Sequence, residues 1–360
     1  MRHHRAMESL IEGAVTVPSV SVRLDIDEQS QIGAARRGAV ALGHAHGLGS
    51  DALGRLAIIV TEAATNIARH AGSGFLVLRG LVSGNTAAIE LLALDKGPGI
   101  PDVERAMRDG YSTGGTAGQG LGGIKRLSDV FAMHSQRGMG TALLARIGER
   151  ARRSIGARPV ASADDEFGVV CVPLRGEIAC GDAWQVVVGR QRVSVLIVDG
   201  LGHGPDAAAA AAAATTTFSQ LANGLPETAL VALDAAMRET RGAALSVVVI
   251  EKSVRRARFS GVGNVDGRVL ADGTTQHLVP QNGIVGHGMP TPRSLDVSWP
   301  VGARLVMHSD GILPQWRLDA YDGAAMHPAL LAGLIYRDFA RDRDDATVLV
   351  LRDDGHQENR

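Results

Sequence analysis

Apolar residues in the first half of the chain change between helical and strand-like spacing. Between Leu53 and His70 they recur every three or four positions, which predicts an amphipathic helix that Ser50 or Asp51 caps. The elements predicted after it are strands over 75–81 and 87–94, helices over 103–108 and 121–129, and a strand over 141–147. This order indicates an α+β domain.

The second half carries more strand-like runs. Its predicted strands lie over 168–172, 184–188, 193–198, 244–250, 257–262, 305–308 and 347–351, and its predicted helices over 206–222, 226–238 and 327–340. The alternation predicts two sheets flanked by helices. Between the halves, arginines without apolar periodicity and then a small acidic stretch predict a linker over 149–164.

Length and composition are those of a two-domain globular protein. At about 150 residues per domain, 360 residues predict two domains. A content of 45% hydrophobic and 21% charged residues argues against a disordered chain. The 45 glycines are an excess, but they lack the three-residue period of collagen. A net charge of −1 without a long basic stretch argues against a dedicated nucleic-acid binder.

The cysteines and the N-terminus predict a cytoplasmic protein. Cys171 and Cys180 are too few for a disulfide framework in a chain of this length. The basic N-terminus is followed by Glu8 and Glu12 rather than by an apolar run, so no secretion signal is expected. The longest uncharged stretch, between positions 206 and 227, is too weakly apolar to span a bilayer.

Three segments of the first half carry groups that suit a nucleotide and a cation. Glu62 and Asn66 lie four positions apart on the predicted helix, so one face presents a base and a neutral metal ligand. Asp95 ends an apolar strand, where it can accept a hydrogen bond from a base edge, and the glycines after it let a ring approach the backbone. A glycine-rich stretch over 114–123 opens into a helix, whose bare amides can cradle phosphates.

The order and spacing of these segments resemble the N, G1 and G2 boxes of the GHKL ATPase/kinase superfamily. Over 95–129 the sequence is also similar to the small serine kinases of the anti-sigma and stressosome switch group, and the resemblance covers about 16–148. It implies a Bergerat-type α/β sandwich that binds ATP and Mg²⁺. No phosphoacceptor histidine helix accompanies the segments, which argues against an autophosphorylating histidine kinase.

The resemblance assigns roles by position. It makes Glu62 the general base on the substrate hydroxyl, Asn66 a Mg²⁺ ligand and Asp95 the adenine reader. The other nucleotide-binding positions that it implies are Gly97, Gly99, Gly118, Gly120, Leu121 and Gly122. Gln119 departs from the apolar residue frequent in the group, which leaves the conformation of the lid open. Lys125 can either reach a phosphate or lie exposed on its helix.

Aspartates recur at strand ends and tight turns in the second half. Those that adjoin strongly apolar strands are Asp182, Asp199, Asp310 and Asp344. Mg²⁺ and Mn²⁺ favour carboxylate oxygens, and two such ions held close together can activate a water for attack on a phosphate. Asp266 and Asp272, each followed by glycine, are predicted to be ordinary turns.

This order resembles the metal-dependent PPM serine/threonine phosphatases, especially their bacterial sporulation-protein-E-type branch. The motifs that carry the resemblance are Val198-Asp199-Gly200-Leu201-Gly202-His203-Gly204 and Asp344-Asp345-Ala346-Thr347, and it covers about 165–352. It implies an α-β-β-α sandwich with two Mg²⁺ or Mn²⁺ ions. The metal ligands that it implies are Asp182, Asp199, Asp310, Asp344 and the Gly200 carbonyl, with Asp345 behind them.

Three residues near these motifs have less defined roles. His203 can act as an acid near the leaving group or be hydrogen-bonded within its loop. Glu177 has no predicted role. Cys180 is predicted to be a core residue rather than a nucleophile, because no arginine-containing phosphate loop accompanies it.

Together the two resemblances predict a bifunctional protein-serine kinase and phosphoserine phosphatase. By family analogy, both domains act on a STAS-type anti-sigma antagonist in a bacterial partner-switching pathway, with a sigma factor as a further partner and a homodimer as one assembly. Neither nucleic acid nor a membrane is expected as a partner. Two alternatives stay open, namely an ATP-binding module that sequesters a regulator without kinase turnover, and a phosphatase whose ATP domain only senses nucleotide.

The predicted boundaries are a tail over 1–15, the ATP domain over 16–148, the linker over 149–164, the phosphatase domain over 165–352 and a tail over 353–360.

Overall fold

Contacts group the chain into two compact units. The structure, a computed structural model, describes residues 13–15, 19–83, 86–107, 120–149, 166–221, 224–321, 326–353 and 355. Within these, the N-terminal unit is drawn from 21–160 and 325–337, and the C-terminal unit from 1–20, 161–324 and 338–360. Strand β1 (Gly13–Val15) falls in the predicted N-terminal tail, yet it belongs to the C-terminal unit.

The N-terminal unit contains one antiparallel sheet. Its strands are β2 (Val22–Ile26), β3 (Gly74–Ser83), β4 (Thr86–Asp95), β5 (Val130–Gln136) and β6 (Gly140–Gly148), in the order β2-β3-β4-β6-β5. The helices between them are α1 (Ser30–Ala45), α2 (Ser50–Asn66), α3 (Val103–Ala106) and α4 (Leu121–Leu127), with a π-helical turn over Ile67–Ala71. The sequence thus predicts the three long inner strands and the main helix of this unit.

One face of this sheet packs on α1 and α2 and forms the core of the unit. Alternate residues of β3 and β4, among them Leu76, Leu78, Ile89 and Leu91, point to this face and are fully buried. The apolar stripe of α2 packs in the same cluster, which confirms the predicted amphipathic helix. The predicted cap is wrong, since the cap position is the extended Gly49 and Ser50 already lies inside the helix.

The opposite face of the sheet buries a charged cluster. Glu90 lies between Arg79 on β3 and Arg146 on β6, its direct neighbours in the ladder. Its carboxylate accepts hydrogen bonds from Arg79 Nη2 at 2.8 Å and from Arg146 Nε at 2.7 Å, and all three side chains are buried. Burial by itself would raise the pKa of Glu90, but the two guanidinium groups outweigh it and lower this pKa to about 2.

The C-terminal unit contains two antiparallel sheets. Its further strands are β7 (Phe167–Val172), β8 (Asp182–Gly189), β9 (Arg192–Gly200), β10 (Ala243–Glu251), β11 (Arg256–Val262), β12 (Asp266–Ala271), β13 (Thr274–Leu278), β14 (Leu295–Ser298), β15 (Arg304–His308) and β16 (Ala346–Arg352). The sheet orders are β1-β8-β9-β10-β11-β14 and β13-β12-β15-β16-β7. Helices α5 (Pro205–Leu221) and α6 (Pro226–Met237) belong to this unit, whereas most of α7 (Pro328–Phe339) groups with the N-terminal unit.

Both faces of the larger sheet are buried. Residues such as Trp184 and Phe259 share one core with Leu305 and Leu349 of the smaller sheet. The other face packs on α5 and α6. Burial on both faces explains why strands such as β9 and β10 are continuous apolar runs rather than alternating ones. The two predicted sheets and the helices on the larger one are confirmed for this unit, whereas the helix predicted over 327–340 is α7, most of which groups with the N-terminal unit.

The elements that the sequence pattern misses have weak apolar patterns. Helix α1 fully buries only the small residues Ala35, Ala39 and Gly43, and its larger apolar residues, such as Ile32 and Val40, are only partly buried against the core. Strand β13 is exposed except for Leu278. None of the helices within the described ranges is long and apolar enough to cross a membrane.

We expect Glu90→Gln to destabilise the N-terminal unit by about 3–5 kcal/mol at pH 7, because it leaves two buried guanidinium groups without their counter-charge. Since the folded-state pKa of Glu90 is depressed, the stabilisation is complete above its ordinary pKa of 4.5 and is lost as the pH falls towards about 2. Hydrogen exchange of β3 and β4 from pH 7 down to pH 3 measures the difference between variant and wild type, which should narrow below pH 4.5. The exposed Glu28→Gln is the control, and a pH-independent difference for Glu90→Gln would contradict the role of its charge.

Candidate functional site

Glu62 and Asn66 lie on the last two turns of α2 and share one face of the helix. Both are half-buried. Beside them, the Thr65 hydroxyl donates to the Thr61 carbonyl at 2.7 Å, so its hydrogen bond stays within the helix. The helix ends at Asn66 and continues as the π-helical turn, which Gly72 closes with a φ of 81°. Single π-helical turns often accompany functional sites.

The loop after β4 packs directly on this turn. A Cβ at Gly97 would lie 2.6 Å from the Ala71 Cβ, and a Cβ at Gly99 would lie 2.2 Å from the Gln136 carbonyl oxygen. Gly99 also has a φ of 70°, in the left-handed region. A side chain at Gly97 would therefore push the loop away from the turn that follows Glu62 and Asn66 on the chain, and one at Gly99 would push it away from the end of β5.

The Asp95 carboxylate is held at the end of β4 by backbone amides. Its Oδ1 accepts hydrogen bonds from Gly97 N at 2.9 Å and from Thr141 N at 3.1 Å. Burial raises the pKa of Asp95, and these two amide bonds oppose the rise. Both bonds use one oxygen, so the orientation of the carboxylate is set before any base approaches. This geometry suits the predicted adenine reader.

Helix α4 begins where the glycine-rich stretch ends. Gly118 and Gln119 lie outside the described residues, whereas Gly120 is exposed at the cap position and Leu121 and Gly122 open the helix. Leu121 packs against the core of the unit. Lys125 is exposed, which agrees with the second of its two interpretations.

Arg55 on α2 fixes the far end of α4, a role that the sequence does not reveal. It is 5% exposed and sits among the apolar residues of α2. Its Nη1 donates to the Leu127 carbonyl at 3.0 Å and lies 3.3 Å from the Asp129 carboxylate. Because α4 starts at the glycine-rich stretch, Arg55 ties that stretch to the same helix that carries Glu62.

In the C-terminal unit, Asp182 and Asp199 face each other across neighbouring strands. They are direct partners in the ladder of β8 and β9, so their side chains lie on one face, with Cβ atoms about 5 Å apart. Gly200, the next residue, donates from its amide to the Gly181 carbonyl at 3.0 Å. A Cβ at Gly200 would lie 2.5 Å from the Ala207 carbonyl oxygen, so the start of α5 packs on this glycine.

The end of the smaller sheet meets this pair through a serine. Ser309 Oγ donates to Asp182 Oδ2 at 2.6 Å, and Thr347 N donates to Ser309 Oγ at 3.0 Å. Asp310 follows Ser309, and its Oδ2 accepts a hydrogen bond from Asn264 Nδ2 at 2.7 Å. No local sequence pattern marks Ser309 and Asn264 as orienting residues, because only the fold brings them to the aspartates.

The four aspartates concentrate negative charge in one region, where Arg341 opposes the charge at Asp310. Burial, followed by the charges of Asp182, Asp310 and Asp344, raises the pKa of Asp199 to about 9. Burial and then Asp344 also raise the pKa of Asp310, against the opposing charge of Arg341. These carboxylates thus lie within electrostatic reach of one another.

The carboxylates suit a hard divalent cation by their chemistry. All donors in this region are oxygens, as Mg²⁺ and Mn²⁺ prefer, and a cation would relieve the repulsion that raises the pKa of Asp199. Among the residues that the structure describes, no three acidic, histidine or cysteine side chains already converge as a metal site. The ligand roles of Asp182, Asp199, Gly200, Asp310 and Asp344 therefore stay predictions.

The Asp345 carboxylate is hydrogen-bonded to backbone amides beside this region. Its two oxygens accept hydrogen bonds from Leu174 N at 2.7 Å and from Gly181 N at 2.8 Å. Gly181 immediately precedes Asp182. Asp345 therefore holds the segment that leads into Asp182, in agreement with its predicted place behind the ligands.

The residues near the motifs also find their places. His203 Nδ1 lies 2.7 Å from Glu177 Oε1, so its hydrogen-bond partner lies outside its own loop, unlike the predicted bond within the loop, and its acid role stays a prediction. Cys180 is buried in the core, and its Sγ lies 3.8 Å from Cys171 Sγ. The contact with Cys171 and then burial raise the pKa of Cys180, which disfavours a nucleophilic thiolate.

Comparison with known proteins places both halves in families. Residues 27–147 match the histidine kinase-like ATPase domain, and residues 189–353 match the family of stage II sporulation protein E (SpoIIE). Over 99 residues the chain is 38% identical to the serine/threonine-protein kinase RsbT of Bacillus subtilis (strain 168). The matched residues are 28% of this chain and 74% of RsbT. The chain belongs to the RsbT kinase family. It joins this ATPase domain to a SpoIIE-type PPM phosphatase domain.

Solved structures are similar to parts of the chain. A structure described as the bacterial stressosome, a modular system adapted to control secondary messenger signalling, is 28% identical, covers 52% of this chain and 98% of its own, and has a TM-score of 0.50. The PP2C phosphatase domain of SpoIIE from Bacillus subtilis, with a fragment of its regulatory domain, is 16% identical, covers 75% of this chain and 80% of its own, and has a TM-score of 0.44. The family matches confirm the predicted pairing of an ATPase-like domain and a PPM-like domain.

We expect Gly97→Ala to weaken ATP binding and to destabilise the ATPase domain by about 1–3 kcal/mol, because the new methyl group would collide with Ala71. Gly54→Ala is the matched control, since a Cβ at this helical position of α2 has no neighbour within 4 Å and should be neutral or stabilising. ATP titration and thermal unfolding measure the two effects. Equal affinities for the two variants would argue against Gly97 as part of the nucleotide pocket.

Proposed function

We propose that the chain is a bifunctional regulator, in which the ATPase domain is a protein-serine kinase and the PPM domain is a metal-dependent phosphoserine phosphatase. The observation that carries this proposal is that one chain contains both a group of candidate kinase residues and a group of candidate metal ligands. Glu62, Asn66 and the Asp95 loop are grouped in one domain, and four mutually repelling aspartates are grouped in the other.

The ATPase domain has the parts that phosphoryl transfer requires. Glu62 takes the proton of a substrate serine, Asn66 binds Mg²⁺, and Asp95 accepts a hydrogen bond from adenine. The Gly97 and Gly99 turns bring the base close to the backbone, and the start of α4 at Gly120, Leu121 and Gly122 offers amides to the phosphates. Positioning and charge stabilisation then supply most of the catalysis.

The PPM domain holds two Mg²⁺ or Mn²⁺ ions with Asp182, Asp199, Asp310, Asp344 and the Gly200 carbonyl. When bound, these ions supply an activated water and neutralise the charge of the phosphate. Ser309 orients Asp182 and Asn264 orients Asp310, each through a hydrogen bond of the carboxylate. His203 follows Asp199 in the same loop and is hydrogen-bonded to Glu177, and its proposed role is to donate a proton to the leaving serine.

The substrate is a STAS-type anti-sigma antagonist in a bacterial partner-switching pathway in the cytoplasm. The similarity to RsbT and to a stressosome structure supports this class of partner. Opposed kinase and phosphatase domains on one chain set the phosphorylation level of a single serine. A sigma factor is the second partner, and a homodimer is the proposed assembly.

Replacement of the general base tests the kinase. With a STAS-domain protein and labelled ATP, we expect Glu62→Ala to reduce phosphate incorporation at least about 100-fold, because general bases contribute by such factors. The exposed Glu28→Ala should incorporate phosphate like the wild type. Unchanged incorporation by Glu62→Ala would remove the kinase assignment. Wild-type ATP binding without any incorporation would favour a sequestering module instead.

Replacement of a metal-position aspartate tests the phosphatase. We expect Asp199→Asn to lose Mn²⁺-dependent release of phosphate from a phosphoserine protein, with EDTA abolishing release by the wild type. Without metal, the variant should be at least as stable as the wild type at pH 8. Because the pKa of Asp199 is raised from 3.8 to about 9 in the folded protein, the free energy of unfolding of the wild type decreases as the pH rises through this range. Asp272→Asn, in the turn between β12 and β13, is the control for both assays. Full release by Asp199→Asn would refute its ligand role.

A further inference from the structure

Helix α7 carries an arginine to the proposed nucleotide site. The helix lies inside the region that matches the SpoIIE family, yet residues 325–337 group with the ATPase domain. Every residue from Ala329 to Arg337 is buried. A helix buried on all sides is a fixed part of its surroundings rather than a surface element.

The helix packs on the outer face of the ATPase sheet. A Cβ at Gly333 would lie 3.1 Å from Leu92 Cδ1, so the helix backbone lies close to β4. The Tyr336 ring meets the Phe75 ring edge-on, with centroids 5.8 Å apart. Arg23 stacks over Phe75 at 4.1 Å and donates to the Tyr336 hydroxyl at 3.2 Å.

Arg337 connects the last turn of this helix to the end of β4. Its Nη1 donates to the Asp95 carbonyl oxygen at 2.8 Å, across 242 positions of sequence, and the side chain is 8% exposed. The Asp95 carboxylate is held at the same time by Gly97 N and Thr141 N. Asp95 is therefore fixed at its main chain by α7 and at its side chain by its own loop.

We propose that Arg337 is a positioning residue for the nucleotide site, which holds the Asp95 main chain so that the carboxylate faces the adenine edge. This inference rests on the proposed ATP-binding function. It makes nucleotide affinity and base selectivity depend on a helix that the sequence assigns to the phosphatase. Because linkage is reciprocal, nucleotide binding at Asp95 also stabilises the position of α7.

The test compares three variants of the full chain in titrations with ADP and GDP. We expect Arg337→Met to weaken ADP binding at least about tenfold and to narrow the preference for ADP over GDP, because a buried charge-assisted hydrogen bond is lost. Arg337→Lys, which keeps the charge and one donor, should recover part of the ADP affinity and part of the preference for ADP over GDP. Tyr336→Phe is the matched control, since it removes a different bond of the same helix and should stay within about twofold of the wild type.

A second measurement separates positioning from simple stability. Hydrogen exchange over 328–337 should slow when ADP binds the wild type and should not respond to ADP in Arg337→Met. If Arg337→Met does not fold, by circular dichroism, Arg337→Gln takes its place with the same expectations.

Unchanged ADP affinity and selectivity in Arg337→Met would overturn this inference alone. An equal loss in Tyr336→Phe would do so as well, since it would indicate that only the packing of the helix matters. A wild-type chain with no affinity for ADP would overturn the proposed ATP-binding function and this inference with it.

Discussion

Burial of both faces of the antiparallel sheets is the constraint on which both candidate sites depend. In the ATPase domain one sheet face packs on α1 and α2, and the other buries the Glu90 cluster and α7. In the phosphatase domain the two sheets share a core, and α5 and α6 cover the larger one. Polar groups that must reach a ligand can then lie only where strands leave these buried layers. Asp95, Asp182, Asp199 and Asp310 all lie at such points.

The buried carboxylates differ in how their charge is compensated. This difference distinguishes a carboxylate with a structural role from one that is a candidate ligand. Glu90 is as deeply buried as any acidic group in the described chain, but two arginines hold it ionised, so its role is structural. Asp199 is surrounded by other carboxylates, and its pKa is raised instead. Strongly perturbed acids without a cationic partner are typical of sites that await a ligand.

Chain order and spatial order also differ in a way that bears on function. Helix α7 lies in the sequence between Asp310 and Asp344, which the PPM resemblance assigns to the metals, yet it packs on the ATPase sheet. Strand β1 shows the converse, since it precedes the ATPase domain in the sequence and pairs with β8. Helix α7 covers the face of the ATPase sheet that carries Leu92, and β1 pairs with the edge of β8.

The sequence by itself determined the features that depend on near neighbours. The apolar stripe of α2 with Glu62 and Asn66, the continuous runs of β9 and β10, and the glycine turns beside Asp95 and Asp199 follow from local spacing and backbone sterics. Weakly patterned elements such as α1 escaped prediction because the residues that they bury fully are small and their larger apolar residues are only partly buried.

Only the tertiary structure decided the partners of the polar side chains. Arg55 with Leu127, Asn264 with Asp310, and Arg337 with Asp95 are pairs separated by 72, 46 and 242 positions. No local pattern encodes such pairs, because a hydrogen bond depends on the position of two atoms in space and not on the distance between them along the chain. The sequence therefore identified the candidate site residues, and the tertiary structure determined which other residues orient them.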